Sequence, residues 1–193
     1  MEEDRLETSC QLLVIGGSAG SLDVLFKLLP RLKAGLTFPI VVILHRRNSV
    51  ESFLAELLAS KTVLPTREVD DKDPVVPGNI YLAPADYHLL IEKNRTFSLD
   101  YSEKVNFSRP SIDVTFESAS EIYGKALVAL ILSGANEDGT QGMLCIQKRG
   151  GRTIAQKPES AQMPFMPQNA ISRGAVNYIL DIEQMSTFIN ELT

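Results

Sequence analysis

In 193 residues there are only two cysteines, Cys10 and Cys145, and two histidines, His45 and His88. Two widely separated cysteines make neither a disulfide framework nor metal-ligand spacing, which suits a reducing compartment. A basic excess is also missing. The 19 Lys and Arg against 24 Asp and Glu leave a formal charge of −5, without the footprint that nucleic-acid or anionic-membrane binding needs. The longest strictly apolar run, Ala126 to Leu132, is far too short to cross a bilayer. The opening MEEDRLETSC is acidic and polar, with no signal-peptide pattern, and no repeat or low-complexity segment follows. These absences point to a cytoplasmic domain with no membrane insertion and no nucleic-acid partner. What remains is ordinary globular composition, 44% hydrophobic and 22% charged. Residues 1–10 read as an N-terminal extension and 11–193 as one domain, which on folding buries roughly 70% of the surface of the unfolded chain.

Short apolar runs, turns and helix-period segments recur along the chain. Leu12 to Ile15 reads as a buried strand ended by Gly16 and Gly17. Leu22, Leu25, Phe26 and Leu29 then share one helix face, stopped by Pro30. Pro39 to Leu44 is a second strand, followed by helical spacing over 52–60. Short runs at 79–82, 88–92 and 96–100 read as strands, some antiparallel. Pro110 opens a helix whose Ile112, Phe116, Ala119 and Tyr123 share a face, with Gly124 at its C-terminal cap. Leu127 to Leu132 is a third apolar strand, then come a helix over 138–147, a strand over 152–156 and a terminal amphipathic helix over 181–192. Alternating strands and helices predict a doubly wound α/β domain, its sheet mostly parallel with a short antiparallel portion mid-chain. Chemistry in such sheets gathers outside the carboxyl ends of the strands.

Three strand ends carry the candidates. The first runs through Gly16-Gly17-Ser18-Ala19-Gly20 into a helix, matching the G-x-S-x-G spacing that lifts a serine hydroxyl clear of a sharp turn. A phosphate-cradling loop and a plain tight turn are the alternatives; neither G-x-G-x-x-G nor a P-loop is present as written. The second ends at His45, placed for a general base or as a half-buried loop residue. His88 precedes Leu89-Leu-Ile91 and reads as structural. The third ends in Ser133-Gly-Ala-Asn-Glu-Asp138-Gly139, delivering Glu137 and Asp138 to the same sheet edge. Asp138 either orients an imidazole or N-caps the following helix.

Several motifs in order resemble the catalytic domain of the chemotaxis protein-glutamate methylesterase (CheB) family. They are Val14-Ile-Gly-Gly-Ser-Ala-Gly20, Val42-Ile-Leu-His45, Pro77-Gly-Asn-Ile-Tyr-Leu-Ala-Pro84 with His88, and Arg109-Pro-Ser-Ile-Asp-Val114. Leu132-Ser-Gly134 with Asp138-Gly139, Arg152-Thr-Ile-Ala-Gln156 and Met166-Pro167 complete the series. The resemblance implies a hydrolase that removes methyl esters from glutamates on the cytoplasmic helices of methyl-accepting chemoreceptors, with glutamine deamidation in some members. It implies Ser18 as nucleophile, His45 as general base and acid, and Asp138 as the orienting carboxylate. The backbone N–H groups of Ala19 and Ala135 are the implied oxyanion donors. Arg46, Arg47, Arg109 and Met166 are the implied substrate contacts, and no metal or cofactor is called for. On this reading Ser18 Oγ faces His45 Nε2, and Asp138 faces the other ring nitrogen.

The departures lie at the rim. Ala19-Gly20-Ser21 stands where the family usually has Thr-Gly-Gly, Arg46-Arg47 where it has Met-Pro, and Ala135-Asn136 where it has Met-Gly. Family members commonly carry an N-terminal receiver domain, whereas about ten residues precede the first strand here. The expectations are a stand-alone enzyme, one regulated by a separate receiver or signalling protein, or a piece of a longer chain. Two competing readings stay open. One is a non-catalytic module of the same fold docking a receptor or signalling partner; the other is a nucleotide binder using the Gly16–Ser21 loop.

Overall fold

The computed structural model describes residues 9–46 and 53–192. In chain order its elements are β1 (Leu12–Gly17), α1 (Ser21–Leu28), β2 (Ile40–Leu44), α2 (Leu54–Ala59), β3 (Thr66–Glu68), β4 (Ile80–Leu82), β5 (His88–Ile91) and β6 (Phe97–Asp100). There follow α3 (Ile112–Tyr123), β7 (Leu127–Ile131), α4 (Thr140–Lys148), β8 (Arg152–Gln156), α5 (Phe165–Ser172), β9 (Tyr178–Leu180) and α6 (Ile182–Glu191). Seven strands form one sheet in the order β3-β4-β2-β1-β7-β8-β9, and every pairing in it is parallel. β5 and β6 make a separate antiparallel ribbon. The doubly wound α/β architecture expected from the sequence is therefore the one observed.

The three most apolar runs occupy the centre. Every residue of β1, β2 and β7 is buried, as parallel strands covered on both faces require. Alternate side chains feed two cores. Leu13, Ile15 and Val42 pack with α1, α2 and α6 through Leu25, Leu58 and Ile189. Leu12, Val14 and Ile43 pack with α3, α4 and α5 through Phe116, Met143 and Ala170, and the β5–β6 ribbon joins this second face through Leu89 and Phe97. Cys10 already belongs to the first core. Helices following β1 and β7 thus lie on opposite faces, and the ends of these adjacent strands form the switch-point crevice where α/β sites develop.

Helix termini follow local chemistry. Gly124, at φ 47°, ends α3 at the expected cap. Asp181 caps α6 reciprocally with Gln184, through bonds of 2.9 and 3.0 Å. α4 starts at Thr140 rather than at Asp138, because Asp138 is engaged elsewhere. The short edge strands β3 and β9 and the helix α5 had no expectation attached to them. Among the described residues, no helix is long and apolar enough to cross a membrane.

α3 and α4 approach closely because Gly142 has no side chain: a Cβ there would lie 2.5 Å from Phe116 Cβ and 3.3 Å from Asp113 Cα. Gly142→Ala is therefore expected to cost about 1–3 kcal/mol through overpacking, despite alanine's better helix propensity. Urea denaturation against wild type measures the shift; an unchanged midpoint would mean that the contact gives way freely.

Candidate active site

The turn after β1 is built from small residues for steric reasons. A Cβ on Gly16 would meet Ile112 Cγ2 at 2.5 Å, and one on Gly17 would meet Ser21 Cβ at 2.5 Å. Gly20 takes the left-handed conformation at φ 81° and starts α1. Ser18 itself is not among the positive-φ residues, so the strain of the turn falls on glycine rather than on the candidate nucleophile. Ser18 N donates to Ser133 O (2.9 Å), and Ser21 N and Oγ both donate to Ser18 O (3.1 and 2.5 Å). Ser21, where the family usually has glycine, thus tightens the turn. The Ser18 backbone is pinned from both sides and its side chain is half-exposed.

His45 leaves β2 beside this turn, its N–H donating to Gly17 O at 3.1 Å. Its Nε2 lies 2.7 Å from Asp138 Oδ2, with the imidazole 10% and the carboxylate 0% exposed. The ring is therefore turned the other way from the expectation, which put Asp138 on Nδ1 and Ser18 on Nε2. The reason is span. β1 lies between β2 and β7, so His45 reaches over one strand to the loop after β7, and its distal nitrogen is the one that meets the carboxylate. With an ionised carboxylate at Nε2, the ring proton sits there and Nδ1 is the free base. Asn136 Nδ2 stands 3.4 Å from Nδ1, while Asn136 Oδ1 accepts from Asp138 N at 3.2 Å. The structure thus joins His45 to Asp138 and sets Ser18 on the adjacent strand end. Among the described residues, no hydrogen bond links Ser18 Oγ to the imidazole.

Asp138 does not cap its own helix; it caps α3. Among the described residues its carboxylate accepts five hydrogen bonds. Oδ2 takes His45 Nε2–H and Ile112 N–H (2.6 Å). Oδ1 takes Asn106 Nδ2–H (2.8 Å), Ser111 Oγ–H (2.8 Å) and Asp113 N–H (3.1 Å). The positive end of α3 therefore points at a buried anion. Burial pushes the Asp138 carboxyl up, but the bonds from His45, Asn106 and Ile112 outweigh it and hold it below its ordinary range. Glu137, the other acid of the loop, is exposed. His88 is 1% exposed and structural: Ser111 N donates to its Nδ1 (3.1 Å), and its Nε2–H donates to Glu103 O (2.9 Å).

The remaining candidates divide. Ala19 and Ala135 are exposed, and among the described residues their N–H groups donate to no protein acceptor. The Ala135 loop is anchored by Ser133 N–H to the buried Gln156 Oε1 (2.9 Å) and by Ser133 Oγ–H to Ala19 O (2.7 Å). Met166 is fully buried, and a Cβ on Gly134 would lie 2.6 Å from its sulfur. It is the floor of that loop and offers substrate no surface. Arg46 lines the cleft beside His45, but as a held group. Its side chain is 4% exposed, pairs with Glu68 and donates to Ala83 O (3.0 Å), bolting the end of β2 to β3 and β4. Arg47 lies outside the described residues. Arg109 stacks on Tyr101 at 3.8 Å, donates to Ser102 O (2.7 Å), and with His45, Asp86, Lys104 and Phe107 lines a cleft of about 440 Å³. Among the described residues, no group of His, Cys, Asp or Glu is arranged to hold a metal ion. Asn106, Ser111, Asp113 and Gln156 join the site without a sequence expectation of such a role; Ser111, Asp113 and Gln156 lie inside the motifs quoted above, but their partners lie far away in sequence.

Comparison with known proteins bears on the family and the fold. The family model for CheB methylesterase matches residues 13–189. A chain from Leptospira interrogans, provisionally named a protein-glutamate methylesterase/protein-glutamine glutaminase, is 40% identical over 176 residues, 91% of each chain. The protein-glutamate methylesterase/protein-glutamine glutaminase of Thermotoga maritima is 35% identical over 187 residues, 95% of this chain and 54% of that protein. The crystal structure of the Thermotoga maritima CheB methylesterase catalytic domain superposes with a TM-score of 0.91 at 34% identity, covering 96% of this chain and 100% of that one.

The lowered Asp138 carboxyl has a consequence for stability. Its ionised form contributes above the unfolded value near 3.8, and that contribution is lost as pH falls through the lower folded value. Asp138→Asn should cost about 1–3 kcal/mol at pH 7, leaving donors of α3 facing an amide. The gap between the urea curves of the two proteins should narrow as pH falls below 3.8 and through the lower folded value, and a gap that does not narrow there would show that charge is not the cause.

Proposed function

The chain belongs to the CheB methylesterase family, and on that footing we propose that it hydrolyses methyl esters of glutamate side chains on the cytoplasmic helices of chemoreceptors. The observation carrying this reading is the 2.7 Å pair of His45 with the buried Asp138, one strand away from Ser18. In the proposed cycle Ser18 Oγ attacks the ester carbonyl carbon as His45 Nδ1 takes its proton. Asp138 stays ionised on Nε2–H and stabilises the imidazolium. Charge developing on the carbonyl oxygen falls to the N–H groups of Ala19, at the entry to α1, and of Ala135. Nδ1–H then protonates the departing methoxide, and methanol leaves. Water, deprotonated by Nδ1, attacks the acyl-enzyme; as the acyl C–Oγ bond breaks, Nδ1–H returns its proton to Ser18 Oγ, and the freed glutamic acid ionises to the carboxylate in water. A glutaminyl side chain enters the same cycle with ammonia as leaving group. Side chains, backbone amides and water suffice for every step.

The cleft mouth favours a protein substrate. Phe107 is 98% exposed beside Lys104 and Arg109 in a cleft that Arg46 also lines, with Asp86 the carboxylate among the described lining residues. An acidic helical surface would meet an apolar tip flanked by two cations.

The deciding experiment is methanol release from a methylated receptor cytoplasmic fragment. Wild type should release methanol, and Ser18→Ala should lose on the order of 10⁴-fold in turnover without a change in its urea midpoint. Negligible release from both proteins, with no labelling of Ser18 by a fluorophosphonate, would leave a non-catalytic docking module as the reading.

A further inference from the structure

The triad carboxylate is tied to a second buried acid that the proposed cycle does not use. Residues 105–108 form a tight turn at the end of the strap after β6, closed by Ser108 N to Val105 O (2.9 Å) and Val105 N to Ser108 O (3.2 Å). Both central residues are left-handed, Asn106 at φ 51° and Phe107 at φ 62°. Asparagine tolerates that conformation better than most residues; phenylalanine does not. The turn throws Phe107 into solvent and directs the Asn106 carboxamide inward. Its nitrogen carries two hydrogens and uses both. One goes to Asp138 Oδ1 at 2.8 Å, the other to Asp113 Oδ2 at 2.7 Å. Asp113 Oδ1 accepts Gly142 N–H at 2.7 Å, so the second acid also joins α3 to α4.

Resting on the reading of the site as a Ser18–His45–Asp138 esterase, we propose that Asn106 is a positioning residue, a neutral bridge that keeps the Asp138 carboxylate ionised and aimed at His45 by separating it from Asp113. Two buried carboxylates this close favour sharing a proton. Burial, with the nearby Asp138 and Glu117 charges, pushes the Asp113 carboxyl up to about 6, against the opposing bonds from Gly142 N–H and Asn106. Glu137 and Arg173 line the small polar cleft, about 140 Å³, onto which Asp113 and Asn106 face. A proton held between Asp138 and Asp113 would weaken the acceptor at Nε2 and with it the support for the imidazolium. Asn106 gives each acid a hydrogen in place of that proton.

Asn106→Gly tests this, because glycine accepts the positive φ while removing the amide. We expect kcat for methanol release to fall about 10- to 100-fold, the loss expected of one hydrogen bond to a charged group. KM should stay within about twofold, and the acid limb of the kcat profile should move to higher pH. Adding Asp113→Asn to Asn106→Gly removes the competing acid and supplies an amide from the other side, so it should recover at least about threefold of the rate. An unchanged kcat, or a fall with no movement of the acid limb and no recovery in the double variant, would overturn the proposal. Proton NMR of the His45 Nε2–H gives a readout independent of turnover. The hydrogen-bonded signal should be lost at higher pH in Asn106→Gly than in wild type, and identical behaviour would also overturn the bridge. Wild type that releases no methanol and takes no fluorophosphonate would instead refute the esterase reading and leave the bridge to be judged by NMR.

Discussion

Removing the Asp138 carboxylate from water would be costly by several kcal/mol without compensation, and the molecule tolerates it only because five donors from three separate segments converge on two oxygens. His45 comes from the end of β2, Asn106 from the strap after β6, and Ser111, Ile112 and Asp113 from the start of α3. Each segment has its own reason to be near: β2 and β7 flank β1, and α3 packs across both through Ile112 and Phe116. Their mutual placement within a few tenths of an ångström is nevertheless a property of the anion. The parallel sheet sets the approximate positions, and the carboxylate sets the final ones.

The architecture was legible in the sequence because its centre is made of uninterrupted apolar runs. Leu12–Ile15, Pro39–Leu44 and Leu127–Leu132 can only be buried strands, and their ends locate Ser18, His45 and Asp138 on one edge. The edge strands Thr66–Glu68 and Tyr178–Leu180 are three residues each, too short to show a period. The orientation of Asp138 toward α3 was not legible, since local spacing offered only the helix that follows it. The turn of the His45 ring depends on which strand lies between β2 and β7, a fact of topology. How Arg46 and Met166 are held was not legible, because charge and motif position say nothing about burial. One is a clamp between strand ends, the other the floor of a loop.

The departures from the usual family motifs also find local accounts. Ser21 replaces a glycine and closes a short bond to Ser18 O. Asn136 replaces another and places a carboxamide over His45 Nδ1. Both residues add a polar group beside the candidate site. These two changes fall in turns, while Gly16 and Gly17 make close approaches that no side chain would fit.

The distance in sequence between Ser18 and its neighbours also bears on biosynthesis. Ser133 accepts the Ser18 amide, and Gln156 in turn holds Ser133. A chain emerging from the ribosome therefore carries its serine long before the groups that surround it have left the exit tunnel. Until the stretch through Gln156 is free to dock, the Ser18 turn lacks the backbone acceptor that fixes it. A local turn at the start of the chain is thus completed only by its distant half.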